Sequence, residues 1–266
     1  MATIEVSNLS FGYGQKNVIE DISFKIDQPG LYCILGPNGV GKSTLIKCLN
    51  KINKPNAGTV LIDGCDLKDM TSKQISKYMG YVPVGGTDMF SMPVIDAILI
   101  GRYTQQKWKT TQEDIAIVNR TMKLLGISSL ALHGYNELSA GQHQKVAIAR
   151  GLVQEAPILL LDEPTANLDV RYQVYIAELL KGLTRRTGMT VVMISHDLNI
   201  TARYADRIIM MAPPGRIHMI GTPEEVITRE TISKIYGVDC EVVKDSEGKP
   251  HVILHSALWI DERGMT

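Results

Sequence analysis

A glycine-rich run that ends in a lysine and a serine could bind phosphate groups. It consists of Gly36, Pro37, Asn38, Gly39, Val40, Gly41, Lys42 and Ser43, with Thr44 after it. Its spacing matches that of a P-loop. Glycines let successive backbone N–H groups turn inward around a phosphate. Lys42 would supply positive charge to the β- and γ-phosphate oxygens, Ser43 would offer a hydroxyl to Mg²⁺, and Thr44 would lie beside the α-phosphate. The run predicts nucleotide binding but no particular reaction, because kinases, GTPases and motor proteins share it. The simpler interpretation is a tight turn that happens to be rich in glycine.

Two adjacent acids could support hydrolysis. The apolar run Ile158–Leu161 is followed directly by Asp162 and Glu163, and open α/β sheets bind ligands at the C-terminal ends of their strands. Asp162 would hold Mg²⁺ through its water shell, and Glu163 would orient or deprotonate an attacking water. Alone, the two acids would only cap a strand that ends at Pro164. Beside a P-loop the two acids predict hydrolysis. P-loop kinases transfer the phosphoryl group to an acceptor other than water, so they have no need of a second acid that activates water.

The elements that must position these residues change in kind along the chain. Before residue 30, apolar residues with the strand period of two, separated by turn residues such as Gly12 and Gly14, predict an antiparallel sheet. Residues 31–35 form a continuous apolar run, which is typical of a strand buried on both faces. From about residue 89 to residue 155 the pattern is helical, and beyond Pro157 strands alternate with helices, which predicts a parallel sheet.

The predicted fold is therefore α/β. It has a P-loop NTPase core of the RecA-like kind with a mainly parallel sheet, an antiparallel β subdomain, and an inserted helical subdomain at about residues 89–155. Residues 1–237 would form the ATPase domain. Residues 238–266 would be a C-terminal extension of short strands and turns, whose role the pattern does not indicate.

Composition narrows the class of protein. Of 266 residues, 44% are hydrophobic and 21% charged, and 28 Lys and Arg balance 28 Asp and Glu. No global basic field would attract nucleic acid or anionic lipid, so no nucleic-acid partner is expected. The apolar runs are far shorter than the roughly 20 residues that span a bilayer, and no secretory signal is evident.

Four scattered cysteines indicate neither a disulfide framework nor a zinc site, and Cys33 and Cys48 are expected to be buried thiols in a reduced compartment.

A further segment resembles a family signature. Leu138-Ser139-Ala140-Gly141-Gln142 is by itself a helix start, with Ser139 as N-cap and Gln142 able to complete a capping box. It also resembles the signature of the ATP-binding cassette (ABC) family, with alanine replacing the first glycine, and it lies about 20 residues before Asp162, as in that family. The resemblance implies that Ser139, Gly141 and Gln142 contact the γ-phosphate of an ATP held by a second copy, in a head-to-tail dimer.

The same resemblance, over roughly residues 3–237, assigns three further residues. His196 corresponds to the switch histidine, which contacts the γ-phosphate and the catalytic acid, although a lone histidine is more often structural. Tyr13 corresponds to the aromatic residue that stacks on adenine. Asp169, in Ala166-Asn167-Leu168-Asp169, corresponds to the loop that crosses the dimer seam. The implied chemistry is ATP hydrolysis with Glu163 and His196 as catalytic residues and with Ser43 and Asp162 at the Mg²⁺.

Other stretches resemble a subfamily, the importer ATPases for iron-siderophores, haem and cobalamin. They run from Ser91 to Asp96, from Ala97 to Arg102, from His196 to Asn199, from Arg203 to Asp206, and from Gly221 to Glu225. One position departs from the family pattern, because Val84 stands where a glutamine normally reaches the Mg²⁺ at the hinge of the helical subdomain. Neither Gly85 nor Gly86 can substitute for that glutamine. The alternatives are a shift of the loop in register and an engineered or sequencing change at position 84.

The resemblance also implies partners and a location. A multi-span membrane permease dimer would hold the chain peripherally at the cytoplasmic face of the cell membrane, and a substrate-binding protein would act with it indirectly. The alternative is a soluble ABC ATPase that clamps nucleic acid or ribosomes. Proteins of that kind usually carry two cassettes or a long coiled coil, and this sequence has neither.

Overall fold

A computed structural model of the chain describes residues 2–14, 16–85, 92–103, 110–166 and 168–258. The predicted residues Gly86, Ser91 and Asn167, and the last part of the predicted extension, lie outside these ranges. The strands in them are β1 Ile4–Tyr13, β2 Lys16–Ile26, β3 Gly30–Leu35, β4 Ala57–Ile62, β5 Cys65–Asp66, β6 Met79–Val82, β7 Ile158–Leu161, β8 Thr190–Ile194, β9 Arg207–Ala212, β10 Arg216–Gly221, β11 Val238–Lys244 and β12 Pro250–Ala257.

The α-helices begin and end as follows: α1 Lys42–Leu49, α2 Ser72–Tyr78, α3 Val94–Leu99, α4 Gln112–Leu124, α5 Ala140–Leu152, α6 Val170–Thr187, α7 Leu198–Tyr204, α8 Pro223–Val226 and α9 Arg229–Tyr236. Short 3₁₀ turns cover Leu67–Asp69, Ile100–Arg102, Ser128–Leu130 and Tyr135–Glu137. Among the residues that the structure describes, no helix is both long enough and apolar enough to cross a membrane.

The strands form three sheets. The central sheet has the order β10-β9-β3-β8-β7-β6, parallel except for the antiparallel edge strand β10. A second, antiparallel sheet has the order β2-β1-β4-β5, and β11 and β12 make a separate hairpin. The predicted α/β class, with its parallel core, antiparallel sheet and helical insertion, is confirmed.

The two faces of the central sheet pack against different partners. Along β3, Leu31, Cys33 and Leu35 face a core that includes helices α3 to α6 and α9, whereas Tyr32 and Ile34 face a core shared with α1 and the antiparallel sheet. Alternation of this kind follows from the strand period of two. Because both faces are covered, β3 is buried along its whole length, as predicted.

The predicted turn at Gly12 is wrong. The strand β1 continues to Tyr13, and Gly12 pairs with Asn17 of β2 while its N–H donates to the Asn56 side-chain oxygen at 2.7 Å. A Cβ at position 12 would come within 2.4 Å of the Lys16 carbonyl oxygen. The glycine is therefore required by the close approach of two strands rather than by a turn.

Candidate functional site

The phosphate loop joins β3 to α1, in the predicted strand–loop–helix arrangement. Three of its glycines have positive φ, which is 149° at Gly36, 78° at Gly39 and 102° at Gly41, a region that side chains rarely enter. Gly41 is the N-cap of α1 and offers no side-chain cap. The first N–H groups of α1 are therefore free of a side-chain cap, as an anion site at a helix N-terminus requires.

Lys42 is buried at the base of this loop. Its ammonium group donates to the carbonyl oxygens of Gly36 at 2.8 Å and Pro37 at 2.9 Å. Burial lowers the pKa of Lys42, and the nearby carboxylates of Glu163 and Asp162 oppose that shift. The cation therefore lies inside the loop, next to the two acids that follow β7.

Ser43 and Asp162 meet where a divalent cation could bind. The Ser43 hydroxyl donates to Asp162 Oδ1 at 2.8 Å, and Asp162 is 3% exposed. Burial raises the pKa of Asp162, with a further contribution from the negative charge of Glu163, while the Ser43 hydrogen bond opposes the shift. Among the described residues no cluster of three or more metal-ligating side chains is present. A hydroxyl and one carboxylate nevertheless fit Mg²⁺, which keeps several waters and takes its other ligands from phosphate.

Glu163 and His196 form a close pair at the ends of adjacent strands. His196 Nε2 lies 2.7 Å from Glu163 Oε1, because β7 and β8 are parallel neighbours and both residues follow their C-terminal ends. Glu163 has φ of 51°, a left-handed conformation unusual for a residue with a side chain. The preceding Ser195 N–H donates to the Ile34 carbonyl oxygen of β3 at 3.2 Å, which ties the histidine segment to the strand that leads into the phosphate loop.

A surface cavity adjoins the loop at the side of Tyr13. It has a volume of about 470 Å³ and is lined by Tyr13 together with Asn38, Gly39 and Val40 of the loop and with Pro213. The Tyr13 ring is 60% exposed and is held edge-on by Phe11, with 5.0 Å between ring centroids. An exposed aromatic face beside a phosphate loop is suited to stacking on a nucleobase.

The predicted signature starts a helix. Ser139 is the N-cap of α5, and it forms a capping box with Gln142 in which Ser139 N–H donates to Gln142 Oε1 at 2.8 Å. A Cβ on Gly141 would lie 3.7 Å from the Tyr172 ring of α6. Asp169 caps α6 by accepting the Tyr172 N–H at 2.9 Å. Within one chain, then, these residues contact α5 and α6 rather than the phosphate loop.

Comparison with known proteins identifies the family to which this chain belongs. The model of the ABC transporter family matches residues 19–166, which include the phosphate loop, the signature and both acids. This chain belongs to the ABC transporter family. It is an ATP-binding subunit of that family and an ATPase.

Relatives of this ABC subunit align over nearly the whole chain. An uncharacterised ABC transporter ATP-binding protein of Methanocaldococcus jannaschii is 41% identical over 94% of this chain and 97% of its own length. The ferric enterobactin transport ATP-binding protein of Escherichia coli is 36% identical over 95% of this chain and 94% of its own. A solved metal-chelate type ABC transporter in an inward-facing conformation has TM-score 0.83 at 26% identity, covering 96% of this chain and 98% of that one. Solved ABC cassettes also include dimers.

Tyr81 and Tyr236 are two further residues at this ABC site that the sequence patterns did not indicate. Burial raises the pKa of Tyr81, on β6, to about 12, with further contributions from the neighbouring Asp162 carboxylate. Burial likewise raises the pKa of Tyr236, at the end of α9, to about 12, and the Gly36 backbone N–H opposes that shift. No sequence pattern indicates Tyr81, because its position beside Asp162 arises from the pairing of β6 with β7.

Proposed function

We propose that this chain is the ATP-hydrolysing subunit of an importer, in which Glu163 is the catalytic base and His196 its partner. The single observation that carries the proposal is the 2.7 Å contact between His196 Nε2 and Glu163 Oε1, beside the buried Lys42 and Asp162. A carboxylate next to the expected γ-phosphate position can accept a proton from water, which is worth about 10² to 10⁴ in rate. The imidazole holds that carboxylate in place.

The remaining residues of the chain would bind and orient ATP. Lys42 and the loop N–H groups hold the phosphates, Tyr13 stacks on adenine, and Ser43 and Asp162 hold the magnesium ion. Bound Mg²⁺ would neutralise charge that develops on the phosphates. The hydrogen bond from Ser43 to Asp162 supports this assignment, because it keeps the two oxygen donors of the site together.

We further propose that hydrolysis needs two copies in head-to-tail contact. Ser139, Gly141, Gln142 and Asp169 would complete the site of the partner copy, with the α5 N-terminus directed at the γ-phosphate. The capping box supports the role, because it fixes the backbone of that helix end. ATP binding would close the pair, and hydrolysis would release it.

The partners would be a membrane permease and, indirectly, a substrate-binding protein. The permease dimer would hold this subunit peripherally at the cytoplasmic face. The helical subdomain, about residues 89–155 of a 1–237 ATPase domain, would pass the motion on. The cargo class would be an iron chelate, haem or cobalamin, because relatives include the ferric enterobactin transport protein and a metal-chelate type transporter.

Affinity purification of the full chain from membranes solubilised in detergent tests the proposal. The expected result is a complex with a multi-span permease, whose presence raises the ATPase rate. Recovery with ribosomes or nucleic acid and without a permease would contradict the importer function. Turnover of the purified chain measured on its own reports the ATPase chemistry separately.

A further inference from the structure

An asparagine of α7 joins this helix to the C-terminal hairpin β11–β12. The Asn199 side chain donates to the Val252 carbonyl oxygen at 3.2 Å and accepts the Val252 N–H at 2.7 Å. It therefore satisfies both backbone groups of one residue in β12, as a neighbouring strand would. Val252 is buried in the same core as the helices, and Asn199 is half-buried, so this pair of hydrogen bonds is partly shielded from water.

A second contact lies one helical turn away on α7. Arg203 donates to Asp245 at 3.1 Å and to Glu247 at 2.5 Å, both in the turn of the hairpin. Residues four apart lie on one face of a helix, so Asn199 and Arg203 present a single face to the hairpin. The turn is itself ordered, because Asp245 accepts the N–H groups of Glu247 and Lys249 at 2.8 and 2.9 Å.

The N-terminal end of α7, where Asn199 lies, leads directly to the proposed catalytic pair. Asp197 is the N-cap of α7 and accepts the Ile200 N–H at 2.8 Å. The Asp197 N–H in turn donates to the Ser195 hydroxyl at 3.3 Å. His196 lies between these two residues, in a three-residue segment that connects β8 to α7. Its position is therefore set by a strand on one side and by α7 on the other.

We propose that the C-terminal hairpin is a brace for the switch histidine, with Asn199 and Arg203 as positioning residues that act on hydrolysis through His196. The proposal rests on the catalytic role proposed above for His196 and Glu163. It gives the C-terminal hairpin a part in the ATPase reaction. Without the brace, α7 could shift along its axis and move the imidazole away from Glu163.

The competing explanation is that the hairpin only stabilises the fold. A second connection of the hairpin distinguishes this explanation from the brace. The ion pair between Lys249 and Glu224, at 2.8 Å, joins the hairpin to α8 and not to α7. Loss of this pair loosens the hairpin without touching the helix that carries the brace. Lys249→Ala is thus a matched control for Asn199→Ala.

The test is steady-state ATP hydrolysis by the full-length protein and its variants, with MgATP binding and thermal unfolding measured on each. For Asn199→Ala we expect kcat to fall about fivefold while KM and ATP affinity change less than about twofold, because a misplaced catalytic group slows the chemical step. Arg203→Ala, which removes only exposed ion pairs and should fold normally, is expected to lower kcat about twofold. Lys249→Ala should leave kcat unchanged.

A double-mutant cycle identifies the route of the effect. If Asn199 acts through His196, adding Asn199→Ala to His196→Ala changes kcat no further. Independent losses that multiply, an unchanged kcat in Asn199→Ala, or an equal loss in Lys249→Ala would each overturn the brace. If His196→Ala itself hydrolyses ATP normally, the catalytic role of His196 fails, and the brace fails with it. A loss in His196→Ala without a loss in Asn199→Ala refutes the brace alone.

Discussion

The proposed catalytic chemistry depends on ionisable side chains that converge from separate parts of the chain. Lys42 follows β3, Glu163 follows β7 and His196 follows β8, and these strands lie side by side as β3-β8-β7. Parallel strands place their C-terminal ends at one edge of the sheet. A base, a cation and an imidazole thus reach one place although more than 150 residues separate the first from the last.

Replacement of the base isolates its contribution. Glu163→Gln keeps the shape of the side chain and can still hydrogen-bond His196, but it cannot accept a proton at neutral pH. We expect ATP binding to persist, hydrolysis to fall by about 10²-fold or more, and an ATP-bound dimer to accumulate. Size-exclusion chromatography with ATP and Mg²⁺ would detect that dimer. Turnover close to that of the unmodified protein would contradict the assignment of Glu163.

Residues were predictable where their spacing along the chain is set by the chemistry. The phosphate loop, Asp162 and Glu163 could be found because phosphate and Mg²⁺ demand fixed residues next to a strand end. Tyr81 could not be found, since its proximity to Asp162 depends on the pairing of β6 with β7, and an alternating pattern contains no information on neighbours. The roles assigned to the site residues remain predictions.

At the scale of elements, the strand β6 ends beside Asp162 and leads towards the proposed helical subdomain. Its next residues are Pro83 and Val84, and Val84 is 51% exposed. A valine has no oxygen to offer Mg²⁺. Water can take that ligand position, so binding should survive, while the link between the γ-phosphate and the helical subdomain should be weak.

Restoring an amide at this position should strengthen the link. We expect Val84→Gln to increase the stimulation of ATPase activity by the permease about fivefold, since a coupling free energy of about 1 kcal/mol, typical of such links, corresponds to that factor. Val84→Leu, which adds bulk without a polar group, is the control. ATPase rates with and without the permease in lipid provide the measurement. Equal stimulation in both variants would mean that the hinge does not use this side chain.

The helical region has its own buried ion pair. Arg102 Nε donates to Asp114 Oδ1 at 2.8 Å, and both side chains are almost fully buried. The same guanidinium reaches the Val153 carbonyl oxygen at 2.6 Å, at the end of α5. Arg102 therefore joins the start of α4 to the end of the signature helix α5.

Loss of the Asp114 charge should destabilise the fold in a pH-dependent way. The Thr111 backbone N–H, and then Arg102, lower the pKa of Asp114 to about 2, so its stabilising effect is complete above pH 4 and is lost as the pH falls towards 2. Arg102 also pairs with Glu155 at 3.1 Å and keeps that partner in Asp114→Asn. We therefore expect this substitution to cost about 2 kcal/mol at pH 7, less than the loss of the only partner of a buried charge, measured by chemical unfolding. The gap from the unmodified protein should narrow below about pH 4. Glu113→Gln, an exposed change on the same helical turn, should cost little; an equal loss there would contradict the argument.

Elements with a strong internal period were predictable, and those set by tertiary contacts were not. The apolar strands β3, β7 and β8 follow from continuous runs that only a covered parallel sheet can bury. Helix α2 was missed, although Thr71 and Gln74 form a capping box there, because the helix is short and its apolar face is narrow. The edge strand β10 was missed too, since its pairing with β9 is antiparallel within a parallel sheet.

At the scale of the whole molecule, each ATP site should be shared between two copies. Ser139→Arg places a bulky side chain where the partner's γ-phosphate would approach the α5 N-terminus, so we expect normal ATP binding by the monomer and loss of hydrolysis. Ser139→Ala, which loses only the cap, should retain more activity and cost about 1 kcal/mol of stability.

Mixing two inactive variants tests the sharing directly. A dimer of a Ser139→Arg chain and a Lys42→Ala chain contains one composite site with an intact phosphate loop and an intact signature, and one site with neither. We expect at most half of the unmodified activity to return on mixing, measured as phosphate release at fixed total protein. Full activity of Ser139→Arg alone would refute the shared site.

The left-handed backbone conformation of Glu163 creates a trade-off between ATPase activity and thermal stability. A residue with a side chain at φ of 51°, directly before a proline, is held about 1 kcal/mol or more above its relaxed conformation. Glycine would adopt the same backbone without that strain, so selection for heat resistance alone would favour Glu163→Gly while removing the carboxylate proposed as the catalytic base. A substitution at position 163 that raises the melting temperature is therefore expected to lower the ATPase turnover.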